Sequence, residues 1–193
     1  EEEAMVSLEF GADMLQGYYF SRPREISTGT IISSDMNFFS IADKFKAHMT
    51  DKIKNCKYQI KEFEKLVDKI IMSLISVSKE NINNYLNNCL NKNPFIECIY
   101  ILNDKGIQIS DTVCNPDKML KQKRLIFHPA PKGTDHSLKD YFIFINAGLK
   151  KFVTDKYISL ASGNLCQTIT KIYESVEGDK LILCVDINSS EKI

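Results

Sequence analysis

Tryptophan is absent from this 193-residue chain, and its charge balances to zero, with 25 Lys plus Arg against 25 Asp plus Glu. Without a net field nothing steers the chain to DNA, RNA or an anionic bilayer, so neither a nucleic-acid nor a membrane partner is expected. Long apolar runs are missing too. Ile70 to Val77 is broken by Ser73 and falls far short of the ~20 residues that cross a bilayer. Glu1-Glu2-Glu3 is the opposite of a basic leader, so no signal peptide is expected. The six cysteines (56, 89, 98, 114, 166 and 184) contain no CxxC and no other metal or redox spacing. Cys98 and Cys184 fall in apolar strand patterns and Cys56 and Cys89 on apolar helix faces, where a thiol behaves as a small hydrophobe. Reduced thiols in a cytoplasmic protein are the expectation. His48, His128 and His136 are scattered and suggest no metal cage. With no Ser-His-Asp, Cys-His or metal constellation, neither catalysis nor a cofactor is expected of this chain.

What is present reads as two modules. Glu1 to Phe10 suits the end of an amphipathic helix closed by Gly11, Met14 to Phe20 a short strand, and Pro23 its stop. One such unit is too small to bury its own apolar faces and needs partners from elsewhere. The Ser/Thr/Gly stretch from Ser27 to Asp35 reads as a linker, dividing residues 1–26 from a module at 37–193 with the linker at 27–36.

From about Asn37 a long helix is expected, free of Gly and Pro until after Ile75. In it Ile53, Cys56, Ile60, Phe63, Val67, Ile70 and Leu74 keep a strict heptad seam. The first half reads as a stem that pairs with a second copy, the second half as packed on its own domain; a wholly intramolecular helix fits the seam equally well. Ser78 would cap a second helix through Ile82, Leu86 and Leu90, ended by Pro94. Phe95 to Leu102 reads as a central strand, Asn103 to Gly106 as a hairpin turn and Ile107 to Ser110 as the return strand. Lys118, Lys121, Lys123 and Arg124 form a basic patch, read as a solvated loop ahead of a phosphate site. A helix at Leu138 to Leu149 precedes three strands, Lys151 to Leu160, Leu165 to Ser175 and Lys180 to Asn188. This order gives an α+β fold with one antiparallel sheet.

Two resemblances extend this reading. Gly11-Ala12-Asp13 followed by Gln16-Gly17-Tyr18-Tyr19-Phe20-Ser21-Arg22-Pro23 resembles the closing motif of EAL domains, the barrel phosphodiesterases that linearise cyclic di-GMP. It implies that residues 1–26 are the end of such a barrel, an EAL partner in cis. Gln16 alone matches a family active-site position; the metal ligands and catalytic lysine have no counterpart here.

The helix, hairpin, loop-helix and three-strand order resembles the PAS-like Cache or PDC sensor domains. More narrowly, Phe127-His-Pro-Ala-Pro-Lys-Gly133-Thr-Asp135-His-Ser137-Leu-Lys-Asp140-Tyr141-Phe142 looks like the YkuI-type C-terminal domain found after EAL barrels. The resemblance implies a regulatory, dimerising sensor of a phosphodiesterase with a small polar ligand. It places ligand contacts at Lys139, Tyr141, Tyr157, Ser159, Thr168, Thr170 and Asp186. In such domains an acidic residue on the last strand usually takes an amine. Here Lys139-Asp140-Tyr141-Phe142 replaces the common Arg-x-Tyr-Phe and the usual tryptophan is absent, which points away from an amino acid. Asp186 reads equally as a cap on the Asn188-Ser189-Ser190 turn, and Tyr141 and Tyr157 as core aromatics. The alternative function is a structural interaction domain whose cup is filled by its own side chains.

Overall fold

The computed structural model describes residues 1–22, 36–119 and 126–188, with the side chains of 36 and 37 excepted. Most of the expected linker and the Lys121, Lys123 and Arg124 portion of the basic patch lie outside the described residues. The chain divides into two compact units, residues 1–58 and 59–193.

In the first unit, α1 (Glu2–Glu9) ends before Gly11, which takes a positive φ of 83°. Glu9 holds it to the first part of α2 (Met36–Leu74), accepting from Lys52 Nζ at 3.0 Å and pairing with His48 Nε2 at 2.6 Å. Lys44 and Glu1 form a further pair. The strand expected over Met14 to Phe20 is not formed; the segment runs as turns and bends. A strand needs a ladder partner for its backbone, and no described strand of this unit offers one. Phe10, Met14, Tyr18, Phe38 and Phe39 are accordingly left exposed.

The second unit is a six-stranded antiparallel sheet. Its strands are β1 (Ile96–Asn103), β2 (Val113–Cys114), β3 (Lys151–Val153), β4 (Tyr157–Ile158), β5 (Leu165–Glu174) and β6 (Lys180–Asn188). They run in the order β2-β1-β6-β5-β3, with β4 also on β5. The three long strands lie in the middle, and β1 and β6 are buried on both faces. One face carries Ile99, Ile101, Leu181, Leu183 and Val185 against Phe63, Val67, Ile70 and Leu74 of α2 and Leu86 and Leu90 of α3 (Ile82–Lys92). A 3-10 turn at Lys79–Asn81 precedes α3, so Ser78 caps that turn. Tyr85 of α3 donates its hydroxyl to the Ile70 carbonyl at 2.9 Å. The opposite face carries Tyr100, Leu102, Ile182 and Cys184 under α4 (Asp140–Asn146), shorter than the helix expected at 138–149.

Ile107 to Ser110 returns antiparallel to β1 as expected, but only as a bridge, Leu102 opposite Gln108, with Asn103 N donating to Ile107 O and Ile109 N to Ile101 O at 2.9 Å. Side chains complete the pairing: Asn103 Oδ1 accepts from Ile107 N at 2.9 Å, and Ser110 Oγ accepts from Ile101 N at 2.9 Å. On its other side the stretch pairs with the excursion from 130 to 136, through Gly133 N to Gln108 O at 2.8 Å and His136 N to Gly106 O at 2.9 Å. Gly106 has φ +80°, and a Cβ there would meet the Ser137 backbone at 3.0 Å. Only glycine lets the excursion pass this close to the turn.

Cys98 and Cys114, directly opposed across β1 and β2, are joined as a disulfide. This corrects the expectation of uniformly reduced thiols. The pair is 16 residues apart in sequence and becomes adjacent only through strand register, which cysteine spacing cannot show. Cys56 is exposed, against the expectation that it packs on an apolar face. Alkylation of the unfolded chain without reductant should modify four cysteines, Cys56, Cys89, Cys166 and Cys184. Reduction should expose all six. On the loop-entropy account, Cys98→Ser with Cys114→Ser should cost about 3 kcal/mol in urea unfolding. Six reactive thiols before reduction would contradict the cross-link.

Candidate functional site

Between the α4 face of the sheet and the 128–140 excursion lies a cavity of about 610 Å³. Strand register builds its floor. Cys114, Cys98, Asp186 and Thr168 are opposed in turn across β2, β1, β6 and β5, so their side chains share one face. The next row holds Tyr100, Cys184 and Thr170. On the neighbouring side Tyr157 of β4 faces Cys166.

Asp186 is the electrostatic centre of this floor and is 3% exposed. Its Oδ1 accepts from Thr168 Oγ1 at 2.8 Å and, more weakly, from Tyr157 OH at 3.5 Å. Tyr157 OH also lies 2.6 Å from Thr168 Oγ1. Burial pushes the Asp186 carboxyl up to about 7, with Glu97 adding to the rise and the Thr168 and Tyr157 hydrogen bonds opposing it. Both of these bonds run sideways across the sheet, and the turn that Asp186 was expected to cap starts at Asn188. Ser189 and Ser190 lie outside the described residues.

Of the expected ligand contacts, Lys139, Tyr141, Tyr157, Ser159 and Asp186 line the cavity. Thr168 stands behind Asp186 as its hydrogen-bond donor. Thr170 turns to the backbone, donating to Phe152 O at 3.3 Å. Gln16 belongs to the first unit, exposed after α1. Burial drives both the Tyr141 and the Tyr157 phenols up, so each keeps its proton.

Sequence reasoning passed over Tyr100, Gln108 and His136. His136 is 7% exposed, stacks on Tyr100 with ring centres 5.5 Å apart, and lies 2.6 Å from Tyr141 OH and 2.9 Å from Gln108 Oε1. Its position five residues before Tyr141 was the available signal. Nothing in the sequence marks Gln108, which meets His136 only because the excursion folds over the hairpin. Among the described residues no group of three or more His, Cys, Asp or Glu could hold a metal ion. No described helix is long and apolar enough to cross a membrane.

Solved structures give this arrangement a setting. The chain is similar to the Bacillus subtilis YkuI protein, which has an EAL domain and was solved in complex with c-di-GMP and calcium, at 20% identity and TM-score 0.65, over 98% of this chain and 46% of that one. It is also similar to the sensory domain of the Campylobacter jejuni chemoreceptor Tlp3 with isoleucine bound, at 15% identity and TM-score 0.53, over 79% of this chain and 62% of that one. A third is the ligand-binding domain of Mlp24 with asparagine, at 13% identity and TM-score 0.56, covering 79% and 59%. The chain has the α+β fold of Cache/PAS-like sensor domains. It spans less than two thirds of the length of each of these structures. Neither a known protein family nor a curated protein matches the sequence.

The raised carboxyl gives the sensor fold a pH signature. Asp186 binds its proton more tightly folded than unfolded, so its protonation contributes stability in full below the ordinary carboxylate range. That contribution is lost as pH rises through about 7. Three pKa units correspond to about 4 kcal/mol. Urea melts should therefore show the native chain losing stability relative to Asp186→Asn between pH 5 and 8. Parallel pH profiles would contradict the assignment.

Proposed function

We propose that this chain is the sensory and dimerising module of a cyclic di-GMP phosphodiesterase, non-catalytic by itself, and that its cavity binds a small polar ligand through an amino group set against Asp186. The observation that carries the reading is an open cavity of about 610 Å³ whose floor holds a buried carboxylate, Asp186, with Oδ1 bonded to the Thr168 and Tyr157 hydroxyls. An ammonium head supplies the countercharge that a buried carboxylate otherwise lacks. Aromatic rings of Tyr100, Tyr141 and Tyr157 line the same cavity and suit a cation's apolar flank. The alternative, a structural domain with a self-filled cup, requires side chains where the cavity stands open.

The link to an EAL barrel in cis rests on the Gly11 to Arg22 motif and on the likeness to YkuI, and the exposed Phe10, Met14 and Tyr18 suit a surface that such a barrel covers. A cytoplasmic setting belongs to the same proposal, and the Cys98–Cys114 cross-link is the feature that speaks against it. Dimerisation is assigned to the early seam. Ile53 and Cys56 are exposed and Ile60 half-buried, whereas Phe63, Val67, Ile70 and Leu74 are consumed by the chain's own core.

Thermal-shift screening with small primary amines tests the ligand reading. A binder at ~100 times its Kd adds about 2.7 kcal/mol, a rise of roughly 5–10 °C for a chain of this size. The shift should grow as pH rises through about 7, where Asp186 ionises, and vanish in Asp186→Asn. No shift with any amine, or one indifferent to Asp186, would favour the self-filled alternative. Sedimentation equilibrium should show a dimer that Ile53→Asp converts to a monomer; a native monomer at high concentration would remove the stem.

A further inference from the structure

Proton counting around His136 fixes which way the Tyr141 hydroxyl of the cavity wall points. Gln108, 1% exposed, directs Nε2 at Ser110 O (2.9 Å), Thr112 Oγ1 (2.9 Å) and Ala130 O (3.2 Å). Two of these are carbonyls, and Thr112 spends its own proton on Ala130 O at 2.8 Å. All three therefore accept, and the reverse amide orientation would set oxygen against oxygen. Gln108 Oε1 must then face His136 Nε2, 2.9 Å away, which carries the ring proton.

The ring is neutral, because burial, and after it Lys139, pulls the His136 pKa down despite Asp135. Nδ1 consequently has a lone pair, and Tyr141 OH donates to it at 2.6 Å. Tyr141 is left with only lone pairs for the cavity. On the floor the same polarity holds when Asp186 is ionised. Thr168 donates to Asp186 Oδ1, so Tyr157 must donate to Thr168 and likewise keeps only lone pairs.

We propose that Gln108 and His136 are specificity-determining positioning residues: they turn the Tyr141 proton away from the cavity, so that the Tyr141 and Tyr157 oxygens near Asp186 face it as acceptors and favour a ligand head that donates. This rests on the amine reading above and adds the residues that enforce it through the Tyr141 hydroxyl. A ligand head bearing lone pairs, such as a hydroxyl or a carboxylate, meets the Tyr141 and Tyr157 oxygens with no proton between them.

The first test needs no variant and no ligand. Long-range 15N–1H NMR of the imidazole in the 193-residue chain should show the Nε2–H tautomer of His136 throughout pH 7 to 8. An Nδ1–H tautomer or an imidazolium there would overturn the relay. The second test uses n-butylammonium, with 1-butanol and butyrate as matched probes, in binding titrations at pH 8. His136→Phe keeps an aromatic ring against Tyr100 and removes the acceptor of Tyr141, so n-butylammonium should weaken about tenfold, the scale of one hydrogen bond to a charged group. In a Tyr141→Phe background the same substitution should change nothing further, because His136 acts through that hydroxyl. Equal losses in both backgrounds would mean a merely structural role and overturn the proposal. Failure of n-butylammonium to bind the native chain at all would overturn the amine reading, while the tautomer measurement still decides the relay.

Discussion

A carboxylate on the middle strand of a sheet buried on both faces is the constraint around which this molecule is arranged. Asp186 is flanked by β1 and β5, with Thr168 donating beside it. An unpaired ion in such a place is costly, and the chain answers in two ways: the carboxyl is pushed up to about 7, and the residue lines a cavity in place of packed side chains. Four parts of the chain line that cavity. The sheet gives the floor, and α4, the 128–140 excursion and the segment from Phe152 to Ala161 give the walls. The excursion keeps its place by hydrogen bonds to the 106–112 stretch, including Gly106, where a side chain would collide.

This explains why Ile107 to Ser110 returns along β1 as a bridge and not as a longer strand. Its backbone serves two neighbours, β1 and the excursion, and side chains of Asn103 and Ser110 fill the gaps. The same arrangement carries Gln108 beneath His136. The disulfide adds a covalent link in the row that ends at Asp186 and Thr168, tying the two-residue β2 to the central ladder. The fold is therefore regular at its sheet and irregular at its hairpin, and the candidate site gathers beside the irregular part.

Much of the sheet was legible because its strands are long and patterned. The β6 alternation, with Ile182, Cys184 and Asp186 on one face and Leu181, Leu183, Val185 and Ile187 on the other, separates the cavity from the helix-side core directly. The division of α2 into an exposed seam and a buried one followed from where its apolar stripe widens. What stayed hidden depends on register and on long-range approach. Met14 to Phe20 has strand composition but no ladder partner among the described residues. Cys98 and Cys114 meet only after β1 pairs with β2. Thr170 shares a face with Thr168 in alternation, yet a bond to the Phe152 carbonyl takes its hydroxyl out of the site.

Likeness to chemoreceptor sensor domains and to YkuI places the fold; the chemistry of the site belongs to residues read one at a time. The account stands or falls on the protonation of one carboxyl. Carbonyl 13C NMR of Asp186, titrated with and without a primary amine, addresses it directly. The account predicts a midpoint near 7 in the empty chain that falls when the amine is added. A carboxyl that titrates in the ordinary range and ignores the amine would contradict it.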